Sequence, residues 1–219
     1  MARSSPKKTS AKKSLGYGQR KDEIVEAAIV EFSLFGFSGT TMRKVGERAG
    51  VNHQLIVHHF QNMDGLWRAA MMRLAEDADA LTRRTVDQVG VADERAALEA
   101  FIDAIIDFAV ERPEAFRIMI IETASDSDRF AWFVADYVQR LFDTFRTCLV
   151  SAQRAGVAAP GDVGSLYYAL IGVATSRFTL ANEHVRLTAS DPFRAEAVEE
   201  VRILCRRVLG VTPHPSGRA

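Results

Sequence analysis

Lysine is absent from this chain after position 44, and cysteine occurs only at Cys148 and Cys205. Two cysteines so far apart, each inside a helix-like apolar pattern, give neither a disulfide framework nor a CxxC metal site, and they fit a reducing, cytoplasmic compartment. No run of 18 apolar residues occurs, so the sequence predicts no membrane span. The start MARSSPKKTSAKKSLG is basic but lacks the apolar segment of a secretion signal. There is no GxSxG, HExxH or P-loop, and no serine, histidine and acid at a spacing that pairs a nucleophile with its base. An enzyme is therefore not expected, and no cofactor is implied. Strand alternation and internal repeats are missing too, which leaves an all-α chain.

What is present is unevenly placed. The 28 Lys+Arg and 28 Asp+Glu cancel, but residues 1–68 hold 11 basic against 6 acidic side chains, a net of +5, and residues 69–219 hold 17 against 22, a net of −5. The first part suits a polyanion and the second would be repelled by one. Residues 1–21 carry seven basic side chains and no acid, and read as a disordered, basic arm.

Helix signals then follow in order. From Lys21, Ile24, Ala27, Ala28, Phe32 and Phe35 recur at i, i+3, i+4 spacing, and Gly36 stands as a C-terminal cap. Thr40 or Thr41 caps a short second helix, TMRKVGERA, which Gly50 ends; Asn52 caps a third to about His59, and Asn62 caps a longer connector. Two short helices joined by Gly-Val-Asn have the spacing of a helix-turn-helix. Further helices are predicted near 93–111, 113–124, 128–155, 162–187 and 192–209.

The third helix holds three of the five histidines, in AGVNHQLIVHHF. At about 100° per residue, His53, Gln54, Val57 and His58 share one arc, while Ile56 and Phe60 form an apolar pair on the opposite side. His59 turns toward that pair, at the edge of a core. Separations of five, six and one are not the i, i+3 or i, i+4 spacing that one-helix metal ligands need, so a metal site is not expected. A polar arc at the start of such a helix suits base edges and phosphates in a major groove.

Residues 21–70 resemble the DNA-binding region of the tetracycline-repressor (TetR) family. The likeness runs through Ala28, Phe32, Gly36 and Phe37, then Thr40-Thr41-Met42, Glu47-Arg48-Ala49-Gly50-Val51, His59-Phe60 and Asp64-Gly65-Leu66. It implies an all-helical homodimer with an N-terminal three-helix DNA-binding domain and a larger C-terminal helical domain for ligand binding and dimerisation. It further implies a repressor that binds palindromic operator DNA and is released by a small-molecule effector. The corresponding division is a basic arm at 1–20, a DNA-binding domain at 21–68, a ligand-binding and dimerisation domain at 69–211, and a tail at 212–219.

By that resemblance Thr41 matches a phosphate contact, Arg43 a base or phosphate contact, and Asn52, His53 and Gln54 the leading residues of the recognition helix. Lys44, His58 and His59 join the DNA-binding set from charge and position. Val57 stands where the family usually has a phosphate-contacting tyrosine, Met63 where a lysine is common, and Gly46 where an alanine is usual. Two phosphate contacts are thus missing, and the sequence also leaves open a ligand-binding or interaction module with weakened DNA binding. In the second half, Phe101, Ile105, Phe108, Met119, Trp132, Phe133, Tyr137, Tyr168 and Arg177 are candidates to line a largely apolar ligand pocket, though packing explains each apolar residue as well. Leu166, Leu170 and Val173 of one late helix, with Val198, Val201, Leu204 and Cys205 of the other, are candidates for a dimer interface.

The arm's Lys12 and Lys13, with Arg20 and Lys21, are expected to replace the missing phosphate contacts. Deleting residues 1–18 should weaken operator binding and flatten the log-log dependence of affinity on salt; a slope identical to that of the full chain would rule the arm out.

Overall fold

The computed structural model describes residues 17–89, 93–125 and 127–211. Its elements are α1 (Tyr17–Gly39), α2 (Met42–Ala49), α3 (His53–Phe60), α4 (Met63–Val89), α5 (Glu94–Glu111), α6 (Pro113–Thr123), α7 (Asp128–Phe133), a π turn (Val134–Val138), α8 (Gln139–Arg154), α9 (Val163–Thr179), α10 (Ala181–Thr188) and α11 (Ala195–Val208). The all-α expectation holds, and no strand occurs among the described residues.

The helix ends fall where capping chemistry puts them. Thr41 Oγ1 accepts from the Lys44 N–H, Asn52 Oδ1 from Leu55 N–H and Asn62 Oδ1 from Gly65 N–H, satisfying donors that the first turn leaves orphaned. Gly50 ends α2 in the left-handed region, at φ 65° and ψ 31°. At Gly36, φ 65° and ψ 180° bend α1, and Thr40 Oγ1 donates back to the Gly36 carbonyl at 2.7 Å. A side chain at Gly36 would also meet Ile121 of α6 at 2.9 Å. The unusual Gly46 has a packing reason: a Cβ there would lie 2.9 Å from the Val51 carbonyl oxygen, where the turn into α3 folds back over α2.

Two differences from the sequence reading matter. The predicted single helix at 162–187 is interrupted at Leu180, φ −99° and ψ 29°, whose N–H still bonds Ser176 O. No glycine or proline marks that break, so the apolar periodicity runs through it unnoticed. The predicted helix at 128–155 is continuous but contains the π turn, which inserts an extra residue into the helical ladder.

Two apolar cores result. The first joins Ile24, Ala28 and Phe32 of α1 with Val45, Ile56, Phe60, Leu66 and Trp67, and continues into Phe108, Ala115, Ile118 and Phe133. The second is built by α5, α8, α9 and α11, around Phe101, Phe145, Leu149, Leu170, Phe178 and Val201. Helix α5 serves both, with Phe101 and Ile105 in one and Phe108 in the other. Arg112, at the α5–α6 junction, grips Glu26 of α1 through two bonds of 2.8 and 3.0 Å and Asp77 of α4 at 2.9 Å. These carboxylates raise its pKa against the opposing effect of burial.

Gly65 sits at the tightest of these approaches, since a Cβ there would fall inside contact distance of the Phe60 carbonyl oxygen, a backbone atom that cannot rotate away. Gly65→Ala should therefore lower the unfolding free energy by about 2–3 kcal/mol, read as a drop in the urea midpoint; an unchanged midpoint would contradict the packing.

Candidate nucleic-acid interface and ligand cavity

Helices α2 and α3 meet across Gly50-Val51-Asn52, with Val51 N–H bonded to Gly46 O at 2.9 Å. Ile56 and Phe60 turn into the first core, and Asn52, His53, Gln54, Val57 and His58 lie on the exposed side, as the helical arc predicts. Asn52 Oδ1 is used in the cap, at 2.8 Å from Leu55 N, which leaves its amide N–H groups to donate outward. Thr41, Arg43 and Lys44 are exposed on α2 beside this surface. Arg43 Nε pairs with Glu47 at 2.9 Å, but both side chains are largely in solvent, so the pair is cheaply exchanged for another anion. Lys44 Nζ bonds the Gly39 carbonyl at 3.2 Å and lies 4.5 Å from the Phe35 ring centroid.

The frame under this surface is held by charge as well as packing. Arg48 of α2 bonds the nearly buried Glu31 of α1 at 2.7 Å. Arg20 pairs with Glu23 at 3.1 Å within α1, and Lys21 is exposed nearby. Lys12 and Lys13 lie outside the described residues, as does the predicted tail at 212–219. His59 is half-buried, with its ring 5.7 Å from that of His58 and 5.8 Å from that of Phe60. Met63 packs against the first core instead of presenting a charge at the start of α4. Among the described residues, no three His, Cys, Asp or Glu side chains are grouped to hold a metal ion, and no helix is long and apolar enough to cross a membrane.

A cavity of about 520 Å³ lies farther along α4, beside Met71 to Asp79. Of the nine predicted pocket residues, Phe108, Met119, Phe133, Tyr137 and Tyr168 line it. The other four do not. Phe101 and Ile105 are sealed in the second core, Phe101 against Phe145 at 5.5 Å. Trp132 packs on Trp67, with Arg68 over its ring at 4.3 Å. Arg177 is spent on the Ala197 carbonyl and Glu200. The sequence reading missed the wall from α4, where Met71, Leu74, Ala75 and Ala78 form an i, i+3, i+4, i+7 stripe that continues past the DNA-binding core. Tyr167, next to Tyr168, lines the cavity too, and burial pushes its phenol up to about 12, with Tyr168 adding to the shift.

The comparisons with known proteins agree with this geometry. Residues 24–70 match the profile described as "Bacterial regulatory proteins, tetR family". Residues 24–70 thus carry the DNA-binding region of the tetR family. The chain is 23% identical over 171 residues to the HTH-type transcriptional regulator RutR of Escherichia coli (strain K12), covering 78% of this chain and 79% of that one. To the regulator BetI of Yersinia pestis (strain Pestoides F) it is 26% identical over 171 residues, covering 75% and 83%. Its fold is similar to that of a tetR-family regulatory protein from Rhodococcus RHA1, with a TM-score of 0.70, 17% identity, and 89% and 99% of the two chains covered. PfmR, a TetR-family transcriptional regulator from Thermus thermophilus, gives a TM-score of 0.66 at 20% identity, with 91% and 99% covered. The chain is accordingly a DNA-binding transcriptional regulator rather than an enzyme.

The candidate dimer residues divide. Leu170, Val201 and Cys205 are buried in the second core, so they close the single chain. Leu166, Val173 and Val198 are half-buried against the same core, and Leu204 alone of the seven is exposed. The outer faces of α9 to α11 instead carry Gly172, Ser176, Leu180, Leu187 and Ile203, all exposed.

Burial lowers the His59 pKa below 6.5, with the charges of His58 and Lys21 adding to the shift. A histidine lowered on folding binds its proton more readily in the unfolded chain, so its contribution favours unfolding as pH falls through 6.5 and below. His59 should therefore titrate below 6.5 in an NMR pH series, and substituting it with Gln should reduce the acid-side loss of stability; an imidazole titrating above 6.5 would refute the burial.

Proposed function

We propose that this regulator is a homodimeric repressor that binds palindromic operator DNA and is released when a small, largely apolar ligand fills the cavity. Residues 21–68 form the DNA-binding domain, after the basic arm at 1–20; residues 69–211 bind ligand and dimerise, and 212–219 form the tail. Helix α3 enters the major groove, where Asn52, His53, Gln54 and His58 meet base edges, and Val57 offers a methyl surface to thymine. Thr41, Arg43 and Lys44 meet phosphates, with Arg20, Lys21, Lys12 and Lys13 adding to them, while His59 supports the helix from the core edge. The second copy packs on the outer faces of α9 and α11, where Gly172 and Ser176 allow close approach and Leu204 supplies apolar area.

The observation that carries this reading is the double role of α4. Its Leu66 and Trp67 are fully buried in the core that holds α3, and its Met71, Leu74, Ala75 and Ala78 wall the cavity. An occupant that shifts the second half of this helix shifts the support of the first.

Mobility shifts with DNA flanking the chain's own gene test it. Lys44→Ala should weaken binding to all sequences alike and lower the salt slope by about one. Gln54→Ala should relax preference at particular base pairs by about 1–3 kcal/mol. Absent or salt-insensitive binding would overturn the regulator reading, and an unaltered randomised-site profile for Gln54→Ala would overturn that residue's role.

A further inference from the structure

The charge inventory of the cavity narrows what can fill it. Among the described lining residues one is ionised, Asp79 of α4, and none is Lys or Arg. The Asp79 carboxylate faces Arg140 at 3.5 Å, and that guanidinium lies 5.1 Å from the centroid of Tyr137, itself a wall residue. Asp79 and Arg140 thus neutralise one another at the edge of the space, and Arg140 is held outside the lining. The other polar groups are hydroxyls. Those of Thr123 and Thr175 already donate to the Ile120 and Ile171 carbonyls of their own helices, at 2.9 and 2.8 Å.

An anionic headgroup placed here loses its hydration and meets a carboxylate with no cation among the described wall residues, so its desolvation is uncompensated there. A cation must first separate Arg140 from both Asp79 and the Tyr137 ring. A neutral molecule displaces neither and exchanges water for aromatic and aliphatic surface. Resting on the proposal that this cavity is the effector site, we propose that its ligand is an uncharged, predominantly apolar molecule whose polar part is no more than a hydroxyl or carbonyl group.

The test holds the apolar chain constant and varies only the head: decan-1-ol, kept below its solubility limit, and decanoate and decyltrimethylammonium, kept below their micellar concentrations, each titrated calorimetrically into the full chain. Decan-1-ol should bind at least about tenfold more tightly than either ion. Ala78→Leu, which fills the α4 wall, should abolish that binding. Asp79→Asn should leave decan-1-ol within about twofold and strengthen decanoate about tenfold, because Arg140 loses its partner. Decanoate or the ammonium binding as well as decan-1-ol would overturn the charge inference while leaving the cavity as a ligand site. Binding that survives Ala78→Leu would place the ligand elsewhere and overturn the proposal. Failure of all three to bind, with DNA affinity unaffected by their presence, would count against the effector site itself.

Discussion

The burial of Trp67 is the contact on which both halves of the molecule depend. Its ring is fully covered, with edge-on neighbours in Trp132 and Phe133 at 6.3 Å each. Leu66 beside it belongs to the core that seats α3, whereas Phe133 lines the cavity. Close-packed interiors have little free volume to absorb a displaced ring. A movement of Phe133 is therefore met by Trp67, and one side of the cavity is also the back of the core that seats α3.

Other contacts prevent the two from sliding independently. Arg129 pairs with the nearly buried Glu122 of α6 at 3.1 Å and lays its guanidinium 3.8 Å from the Phe37 ring centroid, just beyond the bend in α1. Ile121 approaches Gly36 at that same bend, and Arg112 ties α1 to α4. Met119 and Ile120, on the same helix as Ile121 and Glu122, line the cavity. Helix α6 is thus a second strut between the cavity and the first helix, and it bears on α1 at Gly36, where an added side chain would meet Ile121.

The small N-terminal helices were legible in the sequence because their ends are written in local chemistry: Thr41, Asn52 and Asn62 supply caps and Gly50 a left-handed turn. The outward arc of α3 was legible for the same reason, since eight residues on a regular helix leave little freedom once Ile56 and Phe60 are turned inward. The cavity was harder. Phe101 and Phe108 are seven residues apart on one face of α5 and look alike, yet the first is sealed by α8 and the second borders the space beside α6. That difference is made by neighbours distant in sequence. The stripe at Met71, Leu74, Ala75 and Ala78 reads as an ordinary core face for the same reason. On α11, Val201, Leu204 and Cys205 fall in one apolar pattern, but Leu204 lies at the edge of that stripe and is exposed while the other two are buried.

Val57 stands exposed in the polar arc of α3, where the family commonly has a tyrosine that meets phosphate. On the proposed docking, its contribution comes from shedding water over its methyl groups and involves no displaced counterion. Affinity gained in this way is nearly blind to ionic strength. On that docking the valine moves part of the grip from an electrostatic footing, which rising salt erodes, to a hydrophobic one, which weakens on cooling, and temperature would join salt among the variables that set operator occupancy.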